Sequence, residues 1–129
     1  MSRIFVVDDE PDVVELLQTV LQLEGFEVEV ATEGRTALAR LLANPPDLLV
    51  LDLMMPDLDG MELLKLLRLD PKGTRIPVLV LSARTGQHDQ IASLQLGANA
   101  YVCKPFSNKE LLAQIHQLLR DVGSGSTDG

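Results

Sequence analysis

Cysteine is almost absent from this chain: Cys103 is the only one in 129 residues, tryptophan does not occur, and tyrosine occurs once. A lone cysteine rules out an internal disulfide and suits a reducing compartment. The two histidines, His88 and His116, have no second histidine at metal-ligand spacing, so both read as surface residues. Basic residues are scarce too, 11 against 19 acidic ones, and they form no cluster. The net charge of -8 therefore disfavours direct binding to nucleic acid or to an anionic membrane. No stretch approaches the roughly 20 apolar residues that span a bilayer. The opening Met1-Ser2-Arg3-Ile4 lacks the basic and apolar regions of a signal peptide. These shortages predict a soluble protein of the cytoplasm.

What the chain does have is short apolar runs. Those near 3–7, 48–51 and 77–81 are nearly continuous in Val, Ile and Leu, as strands covered on both faces are. Phe26-Glu27-Val28-Glu29-Val30 alternates like a half-exposed strand, and Ala100-Tyr101-Val102-Cys103 stops at Lys104-Pro105, where proline ends regular pairing. Cys103 is expected to pack there as a small apolar side chain.

Helical stripes separate the runs. Val13, Leu16, Leu17, Val20 and Leu21 form one, and Leu111, Leu112, Ile115, Leu118 and Leu119 another, opened by a Ser107/Glu110 capping box. Ala37, Leu38, Leu41 and Leu42 mark a shorter helix before Asn44-Pro45-Pro46, and Met61 to Leu69 a Leu-rich one opened by Gly60. The stripe from Gln87 to Leu96 is thin, before a C-terminal glycine at Gly97. The order is βα five times, which predicts an α/β fold: a doubly wound, five-stranded parallel sheet with right-handed crossovers. One such domain uses the available length, here residues 1–121. Residues 122–129, rich in Gly and Ser, read as a flexible tail or linker.

Acids end two of the runs: Asp8 and Asp9 the first, Asp52 the third. In a parallel sheet the carboxyl ends share one edge, where ligands bind in open α/β folds. Two unit charges about 4 Å apart repel by roughly 4 kcal/mol at an effective dielectric near 20. The cluster must therefore raise a pKa or recruit a cation. Oxygen ligands without paired His or Cys favour magnesium. Ser82 ends the fourth run and Lys104 follows the fifth, so both face the same crevice. Carboxylates, a magnesium ion, a lysine and a hydroxyl are parts that phosphoryl transfer uses, and a carboxylate can itself be the nucleophile.

Val7-Asp8-Asp9-Glu10-Pro11, Leu51-Asp52 through Met55-Pro56 to Asp59-Gly60, Leu81-Ser82-Ala83, and Gly97-Ala98 through Tyr101-Val102-Cys103-Lys104-Pro105-Phe106 resemble, in order, the receiver domain of two-component response regulators. The likeness runs from about residue 3 to 120. It implies the flavodoxin-like, CheY-like strand order 2-1-3-4-5. It makes Asp52 the phosphoacceptor, with Asp8, Asp9, Asp52 and the Met54 backbone carbonyl as the magnesium set. Lys104 and Ser82 would each meet a phosphoryl oxygen, and Tyr101 would be the aromatic that turns inward as Ser82 moves. The implied partners are a sensor histidine kinase or phosphotransfer protein, and an effector or output domain of unknown kind. They would be reached through the face of the fourth helix, fifth strand and fifth helix, in a monomer or a phosphorylation-dependent dimer. Asn99-Ala100 and Gln114 replace charged residues often seen in such dimers. Met54 and Arg84 occupy positions that look over the phosphoryl group and influence its lifetime.

Plainer assignments stand beside these. Asp9 with Pro11 suits a simple helix N-cap, Asp52 a turn, Lys104 a solvated loop, Ser82 a cap, and Tyr101 half-buried packing. Three other functional classes compete with a phosphorylation switch that transfers phosphoryl groups only to and from itself. A hydrolase working through an aspartyl phosphate would need a second acid two residues past the nucleophile, where Met54 stands. A pseudo-receiver scaffold would lack magnesium affinity. An FMN carrier would need a Ser/Thr/Gly-rich loop after the first strand, which is missing.

Overall fold

Val7, Leu51 and Val80 each precede, by one or two residues, a polar side chain that the rest of the chain would have to bury. Their alignment is set by the sheet. The structure, a computed structural model, describes residues 2–55, 57–83 and 87–128, less the side chains of 87–88 and 122–128. The strands are β1 (Arg3–Val7), β2 (Glu27–Ala31), β3 (Leu48–Leu51), β4 (Val78–Ser82) and β5 (Ala100–Cys103). They are joined by the helices α1 (Pro11–Leu23), α2 (Gly34–Ala43), α3 (Gly60–Leu69), α4 (Gln87–Gln95) and α5, which follows β5 (Asn108–Asp128). All pairings are parallel and the order is β2-β1-β3-β4-β5, the flavodoxin-like arrangement expected.

The continuous apolar strands are explained by two cores, one on each face of the sheet. Phe5 and Val7, Leu49 and Leu51, Val78 and Val80 pack on one side against Leu41 of α2 and Leu63, Leu64 and Leu67 of α3. Ile4 and Val6, Leu48 and Val50, Leu79 and Leu81 pack on the other against Leu17 and Leu21 of α1 and Leu111 and Ile115 of α5. Alternate side chains leave a strand on opposite faces, so a strand covered twice must be apolar at every position. Each fully buried Leu, Ile or Val contributes about 1.5–3 kcal/mol.

Edges and ends account for the remaining differences. β2 and β5 are edge strands, and Cys103 is exposed rather than packed. The N-cap position of α1 is Glu10, with Pro11 in the first turn, so Asp9 is not the cap. Asp59 caps α3 by accepting the Met61 N–H at 2.9 Å, and Ser107 Oγ accepts the Glu110 N–H at 3.0 Å ahead of α5. On α4, Ile91 and Leu94 are 50% and 43% exposed, so its thin stripe buries little. The backbone of α5 continues helical to Asp128, through residues whose composition suggests a tail. No helix among the described residues is long and apolar enough to cross a membrane.

Candidate functional site

Register brings the site together. Val7 pairs with Leu51, and the next backbone bond, from Asp52 N–H to the Val7 carbonyl at 2.9 Å, sets Asp52 beside Asp8. Ser82 pairs with Cys103 at the ends of β4 and β5, and Lys104 N–H donates to the Ser82 carbonyl at 2.9 Å. The crevice at these carboxyl ends includes the point between β1 and β3 where the strand order reverses, the usual ligand position in such sheets.

Asp8 and Asp52 are held alike. Each has one carboxylate oxygen tied to the N–H two residues on: Asp8 Oδ1 accepts from Glu10 at 2.9 Å and Asp52 Oδ1 from Met54 at 3.0 Å. Each presents its other oxygen to one ammonium. Lys104 Nζ lies 3.0 Å from Asp8 Oδ2, 3.2 Å from Asp52 Oδ2 and 2.7 Å from Glu10 Oε1. The side chains of Asp8 and Asp52 are only 2% exposed and that of Lys104 11%, while Glu10 remains 56% exposed. The peptide bond after Lys104 is cis, to Pro105.

Burial decides the electrostatics. It pushes the Asp8 carboxyl above the usual carboxylate range; the Glu10 N–H and Lys104 pull against it, and the nearby Asp52 charge adds to it. For Lys104, burial works to lower the pKa, yet the bonds to Glu10 and Asp8 and the charges of Asp8 and Asp52 carry it above the ordinary lysine range. Oxygen atoms of Asp8, Glu10 and Asp52 lie within 4.8 Å of one another. Three carboxylates thus surround one ammonium, and this all-oxygen set with surplus formal negative charge suits a hard divalent cation such as magnesium.

The loop that carries Asp52 is braced from two sides. A Cβ on Gly60 would stand 2.5 Å from the Asp52 carbonyl oxygen and 2.5 Å from Leu53 Cα, so only glycine lets α3 start this close. Asp57 accepts N–H groups of Gly34 at 2.8 Å and Arg35 at 3.1 Å. These bonds at the N-terminus of α2 hold its carboxyl below the usual range.

The structure gathers Asp8, Asp52 and Lys104 as the sequence predicts, and places Ser82, fully buried, at the adjoining end of β4. Tyr101 is half-buried against the α2–α3 core. Asp9 is not in the gathered acid set; Glu10 is, and sequence reasoning missed it. No local pattern marked it: the chain turns after β1, with Asp8 Oδ1 accepting the Glu10 N–H at 2.9 Å, and Glu10 then enters α1 as its N-cap residue. Arg84 and the side chain of His88 lie outside the described residues. His116 is bonded to Glu24 at 3.2 Å near the surface.

Comparison with known proteins agrees with this geometry. The family described as "Response regulator receiver domain" matches residues 4–116. A region 43% identical over 128 residues occurs in the alkaline phosphatase synthesis transcriptional regulatory protein SphR of Synechococcus elongatus, covering 92% of this chain and 49% of that protein. Response regulator SaeR of Staphylococcus aureus is 42% identical over 119 residues, covering 92% and 51%. This chain therefore spans about half the length of these curated relatives. Among solved structures, a putative response regulator from Chloroflexus aurantiacus superposes with a TM-score of 0.88 at 36% identity, covering 92% of this chain and 98% of that one. A CheY-like receiver domain protein from Methanospirillum hungatei gives 0.89 at 28%, covering 97% and 98%.

Proposed function

This chain belongs to the response regulator receiver domain family, and we propose that it is a phosphorylation-controlled switch whose acceptor is Asp52. Membership implies a cognate histidine kinase, and members are in general not catalytic enzymes. The observation that carries the proposal is the convergence of Asp8 and Asp52 on Lys104 Nζ, at 3.0 and 3.2 Å, in a recess at the strand ends.

Asp52 Oδ2, the oxygen not tied to Met54 N–H, attacks the phosphorus of a phosphohistidine or of a small acyl phosphate. A P–O bond to Asp52 forms as the P–N or P–O bond of the donor breaks. The bonding pair leaves with the imidazole nitrogen, which takes a proton from water, or with the departing carboxylate. Lys104 meets one phosphoryl oxygen and the Ser82 hydroxyl another. Asp8, Asp9, Asp52 and the Met54 carbonyl are the groups that would hold magnesium, which when bound supplies positive charge against the phosphoryl oxygens. Val13, Leu16, Ala83, Pro105 and Phe106 line an apolar groove of about 420 Å³ that reaches Glu10 and Lys104, a footing for a phosphodonor protein.

Phosphorylation adds nearly two negative charges to Asp52. Ser82 and Tyr101 then shift, changing the α4-β5-α5 face, where Ile91 and Leu94 already stand exposed for an effector. Asn99 does not support a charged dimer there: its side-chain oxygen accepts from Val78 N–H at 2.9 Å and Arg68 at 3.1 Å. Residues 1–121 form the receiver in this proposal and 122–129 a tail or tether, working in the cytoplasm. Acetyl phosphate with magnesium should add one acid-stable, base-labile phosphoryl group, read by intact mass. Asp52→Asn should abolish it; a mutant labelled as fast as the parent would place the acceptor elsewhere.

A further inference from the structure

Taking Asp52 as the acceptor, we infer that Glu10 is a positioning residue: its carboxylate holds Lys104 in the resting chain and must release it before Lys104 can meet an incoming phosphoryl group. A lysine ammonium has three N–H donors, and all three have carboxylate partners here, Glu10 at 2.7 Å, Asp8 at 3.0 Å and Asp52 at 3.2 Å. A phosphoryl oxygen can be met only if one partner lets go.

The three are not equally free to do so. Asp8 and Asp52 are almost fully buried, and the opposite oxygen of each is fixed by a backbone N–H. In the resting chain, before a metal ion or the phosphoryl group arrives, leaving either unpaired would strand a charge away from water. Glu10 is 56% exposed, and its side chain makes no cap bond to α1. Its backbone is anchored, the N–H on Asp8 Oδ1 at 2.9 Å and the carbonyl accepting Val14 N–H at 3.0 Å, so release requires only that the side chain swing into solvent. The shortest contact of Lys104 is therefore the one most easily surrendered, and Glu10 sets how readily Lys104 becomes available.

The test compares second-order rate constants for phosphorylation by acetyl phosphate with magnesium, in the parent protein, Glu10→Gln and Glu10→Asp. Gln removes the charge; Asp keeps it but is one methylene too short to reach Lys104 from the same backbone. Both variants should react about three- to fivefold faster, the scale of an exposed ion pair. A merely structural loss would instead lower both rates together with the melting temperature, and would overturn the inference. A faster Glu10→Gln beside an unchanged Glu10→Asp would overturn it too, because repulsion of the anionic donor at the rim would then be the cause. So would a loss of magnesium dependence in both variants, which would make Glu10 a metal ligand. If the parent is labelled and neither variant differs, only this inference fails; if the parent takes no label or Asp52→Asn keeps it, the acceptor assignment fails as well.

Discussion

Lys104 is the residue on which the stability of the acid pocket turns. Among the described residues its ammonium is the one cation bonded to these three carboxylates, two of them buried. Lys104→Met should therefore cost about 3 kcal/mol, as does removing one partner of a buried ion pair, read by urea unfolding at neutral pH. The pKa of Lys104 is raised in the folded chain, so its stabilisation is fully present below the ordinary lysine value of about 10.4 and is lost as pH rises through the raised one. Asp8 has the same sign and the opposite consequence. Its pKa is also raised, so its contribution is most favourable below about 3.9 and is lost as pH climbs through the raised value. Asp8→Asn should therefore stabilise the protein at pH 7, and should recover part of the loss in Lys104→Met. A double mutant no more stable than Lys104→Met would contradict this account of the pocket. Asp8, Asp52 and Lys104 were legible in the sequence because each follows a strand directly, and strand ends in a parallel sheet must align. Glu10 was not, because an exposed acid at the head of a helix looks like dipole chemistry until its side-chain oxygen is seen 2.7 Å from Lys104.

At the scale of elements, the loop between β3 and α3 links fold to site. Gly60 N–H donates to the Leu53 carbonyl at 2.9 Å, and α3 starts against the backbone of Asp52 itself. Gly60→Ala forces a Cβ into that contact, so it should destabilise by about 1–3 kcal/mol, the usual cost of overpacking. It should also slow labelling of Asp52 by acetyl phosphate, because the proposed acceptor is carried on the displaced segment. Labelling at the parental rate would show that Asp52 is positioned by β3 alone. The strands were readable because a doubly covered sheet writes itself as unbroken Val, Ile and Leu. β5 was readable only in part: as an edge strand it buries Val102 yet exposes Cys103, and nothing local distinguishes the two. α4 gave the weakest signal for a physical reason, since Ile91 and Leu94 are not spent on the core. Its far end is fastened instead by Arg68, whose Nε and Nη2 reach the Gly97 carbonyl at 3.1 and 2.7 Å. Gly97, at φ +108°, leaves no room for a Cβ beside that guanidinium. A helix clasped at its C-terminal end and thinly packed along its length is suited to move in response to the pocket.

At the scale of the whole molecule, charge and stability meet at the same recess. The chain carries a net charge of -8, and part of that surplus is concentrated where three carboxylates share one ammonium. A divalent cation binding the folded chain removes local repulsion, whereas the unfolded chain parts Asp52 from Asp8 and Glu10 and binds it poorly. Binding to one state alone stabilises that state by RT ln(1 + [L]/Kd), about 2.7 kcal/mol at a hundredfold excess over Kd. For a domain of this length that corresponds to a rise of roughly 8–14 °C in Tm. Magnesium should therefore raise the melting temperature in a concentration-dependent way, and a chelator should reverse it. Asp52→Asn and Asp9→Ala should each blunt the effect, the second because Asp9 is proposed as a ligand although the acids already gathered are Asp8, Glu10 and Asp52. If Asp9→Ala keeps the full rise while Glu10→Gln abolishes it, the metal is held by the acids as they stand in this structure. Glu10 would then act on the ion rather than on Lys104, and one titration series thus decides how the pocket divides its carboxylates between its two cations.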